Sequence, residues 1–488
     1  MLSDFVMGKT TDKDERKRAL AACRERLAAQ QQEIKAKKLG VLVLLEGWGA
    51  AGKGSLLGEV INEIDPRSFK VHAIAAPTEE ERRKPFLWRY FVKTPEKGLF
   101  SFLDSGWLGE TVRQHLAGEL DTAAMTRRIG SINTFERQLA DDGTLLVKCF
   151  LNITRKEQAK RIARLEEDKD TAWRVSGEDE RENERYDEYR DAFDAALTAT
   201  STTYAPWHVV DAGERAEARL ALMTILTGAI DAALAAPRAP AAVPQNRFPL
   251  LPMPRLAEVA LDKELDKGEY NDRLEAAQKR LRELHNRLYR KKVPLILVYE
   301  GWDAAGKGGN IKRVAAALDP RGFEVLPIAS PEPHELAHHY LWRFWRRLPK
   351  DGHVAIFDRS WYGRVMVERI EGFCAQNDWQ RAYNEINEFE AELSAWGAVI
   401  LKFWIHIDPE TQLARFHERQ ANPEKQWKIT DEDWRNREKW PAYEEAVDEM
   451  LQKTSTTYAP WHVIESRDKK YARVKTLELI VGALEEVL

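Results

Sequence analysis

The chain has 488 residues, and its 75 Lys and Arg side chains against 79 Asp and Glu give a formal net charge of −4. This balance excludes a global positive field, so we expect no nucleic-acid partner. No apolar run reaches the roughly 18 residues of a membrane span, and the N-terminus lacks the apolar core of a signal peptide. With only 3 cysteines, far apart in sequence, the chain is predicted to be cytoplasmic, with no membrane partner.

The chain is a tandem duplication in strict register. Equivalent positions differ by a constant 254, since 301 − 47, 358 − 104 and 427 − 173 all give that number, and the run Thr200–Val209 returns unchanged as Thr454–Val463. A period this long indicates two complete domains rather than a solenoid. The sequence predicts domains at residues 1–232 and 259–488 with a proline-rich linker at 233–258. We expect an intramolecular pseudo-dimer, and homo-oligomerisation is also open.

Both copies alternate apolar strands with amphipathic helices. Charged helices at Asp14–Lys38 and Tyr270–Lys292 are followed by apolar strands at Val41–Leu45 and Pro294–Tyr299. Later elements of the second copy are a helix at Lys307–Leu318, a second strand ending at Asp358, a helix at Asp378–Trp396, a third strand at Val399–Ile407, charged helices over Pro409–Ser455, a fourth strand from Trp461 and a closing helix at Lys469–Leu488. This alternation predicts the α/β class, with a doubly wound parallel sheet in each copy.

A glycine-rich loop follows the first strand of each copy. Gly301-x4-Gly306-Lys307 lies between a predicted strand and a predicted helix, the context that makes this pattern specific for a P-loop. Backbone N–H groups would face phosphate oxygens, with Lys307 as a point charge. The competing interpretation, a turn without a ligand, is disfavoured because the loop returns at Gly47–Lys53. The candidate phosphate-binding residues here are Gly301, Ala304, Ala305, Gly306 and Gly308.

One carboxylate, Asp303, lies inside the second loop. The Ser or Thr that usually follows the loop lysine and holds Mg²⁺ is replaced by Gly308, so another residue must bind the metal. A bare carboxylate would repel phosphate by several kcal/mol at short range. Asp303 therefore fits an Mg²⁺ ligand or a base that faces the accepting phosphate. The alternative is that Asp303 caps the following helix.

The second strand ends in a carboxylate and leads into two arginines. Asp358 is placed like a metal ligand at the carboxyl end of a strand beside the P-loop. Arg359 and Arg364 could clamp transferring phosphates and neutralise their charge. Glu368 follows Arg364 at helical spacing, so a catalytic role and an ion pair with Arg364 are equally open.

The charged segment between the third and fourth strands lies where a P-loop kinase places its lid. Four of its basic side chains are candidate polyanion ligands, Arg415, Arg419, Lys425 and Lys428, and Arg343, earlier in the chain, is a fifth. The alternative is a solvated helix face. Trp427, Trp434 and Trp440 could stack on a base, but aromatic residues at such spacing more often belong to a core.

These motifs together resemble the polyphosphate kinase 2 family, whose fold is similar to that of thymidylate kinase. The resemblance rests on the loop with Asp303 and Lys307, on Asp358-Arg-Ser-Trp-Tyr-x-Arg364, on Val367-Glu-Arg369, and on Lys425-x-Trp-Lys428. It covers nearly the whole chain, once per copy, and the tandem form is similar to the class that phosphorylates AMP to ADP with polyphosphate. The residues alone indicate phosphoryl transfer, whereas the polyphosphate donor and the AMP acceptor come from the family.

The resemblance also implies that Asp303, Lys307, Asp358, Arg359 and Arg364 carry catalysis with Mg²⁺, and that basic lid residues hold polyphosphate. The alternatives are polyphosphate-dependent phosphorylation of ADP or GDP, an ATP-dependent nucleotide kinase, or a polyphosphate-binding protein without catalysis.

The first copy departs from the family pattern at each informative position. The residues that stand in place of Asp303, Arg359, Arg364, Glu368, Arg419 and Lys425 are Gly49, Ser105, Glu110, Gln114, Leu165 and Thr171, while Lys53, Asp104 and Arg161 are retained. Loss of a metal ligand and two arginines costs many factors of ten in rate, at about 1.4 kcal/mol each. The sequence therefore predicts one active site, in the second copy.

Overall fold

The computed structural model describes residues 1–8, 10–236, 240–424 and 426–488, without the side chains of Lys428 and Glu432. These residues form two compact units, each built on one sheet. The first unit takes in the described parts of Met1–Pro77, Arg89–Ala239 and Pro333–His339, and the second those of Thr78–Trp88, Pro240–Glu332 and Tyr340–Leu488. Each unit thus includes a short segment from the other sequence copy.

The helices and strands of the first copy follow in regular alternation. They are α1 Lys13–Lys37, β1 Gly40–Gly47, α2 Lys53–Ile61, β2 Phe69–Ala73, α3 Glu79–Arg82, α4 Trp88–Phe91, β3 Phe100–Asp104, α5 Trp107–Leu116, α6 Thr122–Asp141, β4 Thr144–Asn152, α7 Arg155–Glu167, α8 Gly177–Glu184, α9 Tyr186–Thr200, β5 Trp207–Asp211 and α10 Arg215–Ala235.

The second copy repeats this order with one interruption, a 3-10 helix at Trp361–Val365 where the first copy has α5. Its elements are α11 Lys267–Lys291, β6 Leu295–Gly301, α12 Lys307–Ala315, β7 Phe323–Pro327, α13 Pro333–Leu336, α14 Trp342–Trp345, β8 Val354–Asp358, α15 Val367–Ile370, α16 Gln376–Ala395, β9 Val399–His406, α17 Pro409–Ala421, α18 Asp431–Glu438, α19 Trp440–Thr454, β10 Trp461–Glu465 and α20 Lys469–Val487.

Both sheets are five-stranded and parallel, with equivalent strand orders β2-β3-β1-β4-β5 and β7-β8-β6-β9-β10. The predicted α/β class is confirmed. The sequence placed four strands in the second copy and missed the edge strand β7, whose equivalent in the first copy is β2. Most residues of these strands are exposed or half-buried, so they lack the apolar run that identified the central strands.

The central strands β1 and β6 position the loops. All eight residues of β1 are buried, as are the first six of β6, since strands and helices cover both faces. Both strands run into a glycine, Gly47 or Gly301, which is followed by the loop and then by a helix. The carboxyl ends of β3 and β8 lie alongside, with Leu45 paired to Asp104 and Tyr299 to Asp358.

The helical segment that the sequence predicted before the last strand is confirmed. It lies between β9 and β10, and we call it the lid. It comprises α17, α18 and α19 with a 3-10 turn at Gln426–Lys428, and the equivalent helices of the first copy are α7, α8 and α9. Among the residues that the structure describes, one helix, α10, is long and apolar enough to cross a membrane by length and composition alone. Its buried residues, including Leu222, Leu226 and Ile230, belong to the core of the first unit.

Candidate functional site

The second P-loop is shaped by backbone conformations that its residues must accept. Gly301 has φ +150°, and a Cβ there would lie 2.5 Å from the Ile405 carbonyl oxygen, so no other residue fits. Gly306, at φ +116°, precedes α12. Ala304 adopts φ 60°, an uncommon left-handed conformation for a residue with a side chain. Such strain is found at functional sites that the surrounding fold overdetermines.

Two basic side chains are fixed against this loop. The Lys307 Nζ donates to the Gly301 carbonyl at 2.7 Å. Arg415 is buried, and its guanidinium donates to the carbonyls of Ala304 and Ala305 at 3.0 and 2.8 Å as well as to Ser466 and Arg467. Burial lowers the pKa of Arg415 to about 10. Its described contacts therefore brace the loop through backbone carbonyls, whereas the sequence predicted a polyanion ligand on the lid.

Asp303 does not cap α12. The N-cap of this helix is Gly306, which has no side chain to accept a hydrogen bond. The Asp303 carboxylate instead accepts the Asn436 side-chain amide at 3.0 Å and lies 3.5 Å from the Arg359 guanidinium. Gln412 donates to the Asp303 backbone carbonyl at 3.2 Å. The lid thus contacts the loop through Asn436 and Gln412, and the carboxylate is held beside an arginine.

Asp358 and Arg359 stand at the carboxyl end of β8. Asp358 pairs in register with Tyr299 of β6, just before the P-loop. Arg359 has φ 65° and its backbone N–H donates to the Tyr299 carbonyl at 3.0 Å, so it leaves the sheet in a left-handed conformation. The side chain is half exposed and reaches Asp303. Lys307, Asp303, Asp358 and Arg359 are therefore gathered at one edge of the sheet, as the sequence predicted.

Arg364 and Glu368 form an ion pair at 2.8 Å, the structural alternative that the sequence left open for Glu368. The Arg364 guanidinium also lies 4.5 Å from the centre of the Tyr340 ring. Its Nε is buried without a hydrogen-bond partner in the described part of the chain. A buried donor of this kind costs about 1–3 kcal/mol, so Arg364 is held with part of its donor set unused.

The remaining predicted ligands are distributed unevenly. Arg343 donates to the Ala329 carbonyl at 2.9 Å, just past the carboxyl end of β7. Arg419 is half-buried one turn after Arg415. Lys425 lies outside the described residues, and the side chain of Lys428 is not described. A role for these residues in binding a polyanion stays a prediction.

Two of the three lid tryptophans belong to packing. Trp440 stacks on Trp302 with ring centres 3.6 Å apart, and Trp434 packs edge-on against Phe416. Trp302 also donates its indole N–H to His406 Nδ1 at 3.1 Å. Trp427, in contrast, is 74% exposed. Trp434 and Trp440 are thus half-buried and packed on other aromatic rings, and Trp427 is the one of the three whose side chain is largely exposed.

The sequence missed the buried carboxylate Glu300, directly before Gly301. It accepts the Ser360 hydroxyl at 2.7 Å, and burial raises its pKa, against the opposing charges of Lys307 and Arg359. Its signal was present, because Glu46 occupies the same position in the first copy. This match was not singled out, because each glutamate lies near the end of an apolar strand whose pattern predicts a buried core.

In the first unit, two carboxylates of the equivalent lid helix α8 lie against the loop position that lacks the aspartate. The buried Glu182 of α8 accepts the Gly49 backbone N–H at 2.7 Å and pairs with Arg113 at 2.9 Å. Glu182 is equivalent to Asn436, since 436 − 182 = 254. The acidic residue therefore lies on the loop in the second copy, as Asp303, and on the lid in the first copy, as Glu182. A Cβ at Gly49 would lie 2.0 Å from an Asp179 carboxylate oxygen, so an aspartate cannot be accommodated there as the unit stands.

The retained Lys53 turns back on its own loop, donating to the carbonyls of Gly47 and Trp48 at 3.2 and 3.0 Å. Glu110, in the place of Arg364, accepts hydrogen bonds from Tyr90 at 2.5 Å and Arg89 at 3.3 Å. The first unit thus has a carboxylate with local partners where the second unit has the positive charge of Arg364.

These features define the class of protein. A glycine-rich loop between strand and helix, at the carboxyl edge of a doubly wound parallel sheet beneath a helical lid, is the architecture of a P-loop kinase. A family model described as "Polyphosphate kinase 2 (PPK2)" matches residues 10–237 and 264–487. The chain belongs to the polyphosphate kinase 2 family, and is therefore an enzyme that transfers phosphoryl groups.

Similar proteins extend over the full length. The chain is 41% identical to a polyphosphate:AMP phosphotransferase of Pseudomonas aeruginosa over 99% of both chains. It is 37% identical to an ADP-polyphosphate phosphotransferase of the same organism over 44% of this chain and 70% of that protein. A crystal structure of a polyphosphate kinase 2 from Pseudomonas aeruginosa covers 100% of the chain with a TM-score of 0.86 and 38% identity.

Proposed function

We propose that this protein transfers a phosphoryl group from inorganic polyphosphate to AMP, forming ADP, at a single active site in its second half. The donor and acceptor are supported by the full-length relative that bears the name of this reaction. The observation that carries the location is the Asp303 to Arg359 contact beside Lys307, because the equivalent positions of the first half hold Gly49 and Ser105.

The residues at this edge suit phosphoryl transfer, which requires positioning and neutralisation of charge rather than covalent chemistry. The loop N–H groups and Lys307 would hold the polyphosphate, since both direct positive charge to the space in front of α12. Arg359 and Arg364 would neutralise charge on the group in transit. Asp303 lies close enough to Arg359 to fix the direction in which that side chain points.

The carboxylates fit an Mg²⁺ ion. Among the described residues no group of three or more His, Cys, Asp or Glu side chains could hold a metal alone. Mg²⁺ in kinases is usually held by one or two carboxylates together with substrate phosphates and water. Asp303 and Asp358 are such a pair, and the metal would neutralise phosphate charge when it is bound.

A panel of substrates tests the reaction. The purified protein is incubated with Mg²⁺, polyphosphate and AMP, ADP or GDP in turn, and with ATP and AMP in a parallel reaction. We expect ADP from AMP with polyphosphate as the donor. Formation of ADP only when ATP is supplied would overturn the proposal in favour of an ATP-dependent kinase. Turnover with ADP or GDP but not with AMP would identify a nucleoside diphosphate as the acceptor.

A further inference from the structure

The segment that follows the second acidic strand starts alike in both units and then diverges. Ser105 and Arg359 both have positive φ, 70° and 65°. The next residues, Gly106 and Ser360, are both extended, at φ −169°, ψ −151° and φ −156°, ψ −162°. From there the first unit forms one continuous helix of 10 residues, α5. The second unit forms the 3-10 helix Trp361–Val365, breaks, and resumes as the 4-residue α15.

A serine hydroxyl accounts for the divergence. In the first unit, one oxygen of Glu46 accepts the backbone N–H groups of Leu108 and Gly109, each at 3.1 Å, and so caps α5 directly. In the second unit, the equivalent Glu300 accepts the Ser360 hydroxyl at 2.7 Å. The Ser360 oxygen in turn accepts the Tyr362 N–H at 3.3 Å. The hydroxyl therefore stands between the carboxylate and the backbone.

The first unit could not hold this serine without rearrangement. A Cβ at Gly106 would lie 2.5 Å from a Leu44 methyl group and 3.2 Å from a Glu46 carboxylate oxygen. This position is thus glycine in the first unit, where the glutamate caps an α-helix, and serine in the second unit, where the glutamate does not.

A second hydroxyl fixes the same segment. The Tyr362 hydroxyl donates to Glu390 and accepts from Lys402, each at 2.7 Å. The buried pair of Lys402 and Glu390 does not need it for its own satisfaction. The equivalent Lys148 and Glu136 pair at 2.5 Å in the first unit, where Leu108 stands in place of Tyr362.

Other bonds of this network are shared. The indole of Trp361 donates to Glu390 at 3.0 Å as that of Trp107 does to Glu136 at 2.9 Å. Both lysines also donate to a threonine carbonyl at 2.7 Å. The hydroxyls of Ser360 and Tyr362 are therefore the parts of this network that the second unit has and the first unit lacks.

The change of helix type moves Arg364. A 3-10 helix turns by about 120° and rises about 2.0 Å per residue, against about 100° and 1.5 Å in an α-helix. Over the three steps from Trp361, residue 364 is therefore rotated by about 60° and displaced by about 1.5 Å relative to a continuous α-helix. A displacement of this size is enough to remove a catalytic contact, since about 1 Å of misplacement can cost about 100-fold in rate.

We propose that Ser360 and Tyr362 are positioning residues that keep residues 361–365 in a 3-10 helix and so aim Arg364 at the transferring phosphoryl group. This inference rests on the proposed function, in which Arg364 contacts phosphate. The hydroxyls act through the arginine and touch no substrate themselves.

The test replaces both residues by those of the first unit, in the variant Ser360→Gly with Tyr362→Leu. We expect kcat for ADP formation to fall about 100-fold, with the KM for AMP within about threefold and a thermal midpoint close to that of the wild type. Tyr362→Phe, which keeps the ring, should lower kcat in the same direction. Ser360→Thr, which keeps the hydroxyl, should restore most of the activity lost in Ser360→Ala.

Tyr458→Phe is the matched control. It removes a tyrosine hydroxyl that donates to the Asn387 carbonyl at 2.6 Å within the same unit, and should leave kcat unchanged. A fall in kcat equal to that of Tyr362→Phe would overturn the proposal, because any lost tyrosine bond would then have the same effect.

A double-mutant cycle separates positioning from plain stability. If Tyr362 acts through Arg364, Tyr362→Phe should lower kcat less than about twofold when Arg364→Lys is already present. Multiplicative losses would overturn the proposal. A crystal structure of the glycine–leucine variant gives a readout independent of activity: residues 361–365 should become α-helical. A retained 3-10 helix would refute the inference whatever the substrate panel shows. Failure of the wild type in the substrate panel would refute the proposed function and with it the catalytic part of the inference, whereas an α-helical segment in the variant would still support the structural part.

Discussion

The two loop lysines offer a matched comparison within one chain. Lys53 and Lys307 occupy equivalent positions, and each donates to the carbonyl of its own first loop glycine. A lysine about 4 Å from a phosphate oxygen contributes about 4 kcal/mol at an effective dielectric constant of about 20. Loss of hydration offsets part of this energy, so we expect Lys307→Ala to cost about 2–4 kcal/mol in the transition state, or about 30- to 1,000-fold in kcat/KM.

Lys53→Ala should lower kcat/KM less than about threefold, because it removes a side chain that meets no substrate in the proposed mechanism. Initial rates of ADP formation from AMP and polyphosphate measure both effects, with thermal midpoints to show that each variant folds. Lys307→Arg is a control that keeps the charge and should retain more activity than Lys307→Ala. Equal losses from the two alanine variants, with both folded, would refute a single site in the second half.

Three further outcomes are expected. Asp303→Asn should lower turnover by at least about 100-fold at an unchanged unfolding midpoint; a fully active variant would remove Asp303 from the chemistry. Glu182→Gln removes the carboxylate that pairs with Arg113, leaving the more distant charges of Glu46 and Glu178, and should cost about 3 kcal/mol in urea unfolding, with the specific activity of the folded protein unchanged; a parallel loss of turnover would assign the first lid a catalytic role. Burial lowers the pKa of His406 from 6.5 to about 4, so the unfolded chain binds more protons between these values and stability falls as the pH drops. His406 alone contributes about 2 kcal/mol to this loss between pH 7 and 5, so the wild type should lose about that much more stability over this range than His406→Asn, Asn152 being the equivalent residue; equal losses would refute this assignment.

The sequence predicted the fold from its most regular features. The 254-residue offset, the buried strands and the loop between strand and helix are all local patterns, and they placed Asp303, Lys307, Asp358 and Arg359 at one edge of a sheet. The edge strand β7 was missed because its exposed residues show no apolar run. Arg415 was predicted as a polyanion ligand, and its contacts with the loop carbonyls were missed, because helical spacing alone does not tell which side of a lid helix meets the loop.

The contacts that distinguish the two halves are long-range in sequence. Glu182 lies 133 residues from Gly49 in sequence. The signal in the sequence was a compensating change: one copy has the acid on the loop and an amide on the lid, and the other has glycine on the loop and the acid on the lid. Ser360 and Tyr362 could be read as a motif, but not as the cause of a 3-10 helix, because Glu300 and Glu390 lie far away in sequence.

In the first half, the Glu182 carboxylate would compete with phosphate for the Gly49 N–H as a tethered inhibitor does. A tethered group competes at an effective concentration on the order of mM or more, and dilution does not lower it. Any phosphate would bind only to molecules in which the carboxylate had left Gly49, so its apparent affinity falls in proportion to that fraction. In the proposed division of labour the retained Lys53 keeps a structural role, because its bonds to the Gly47 and Trp48 carbonyls hold the loop in shape.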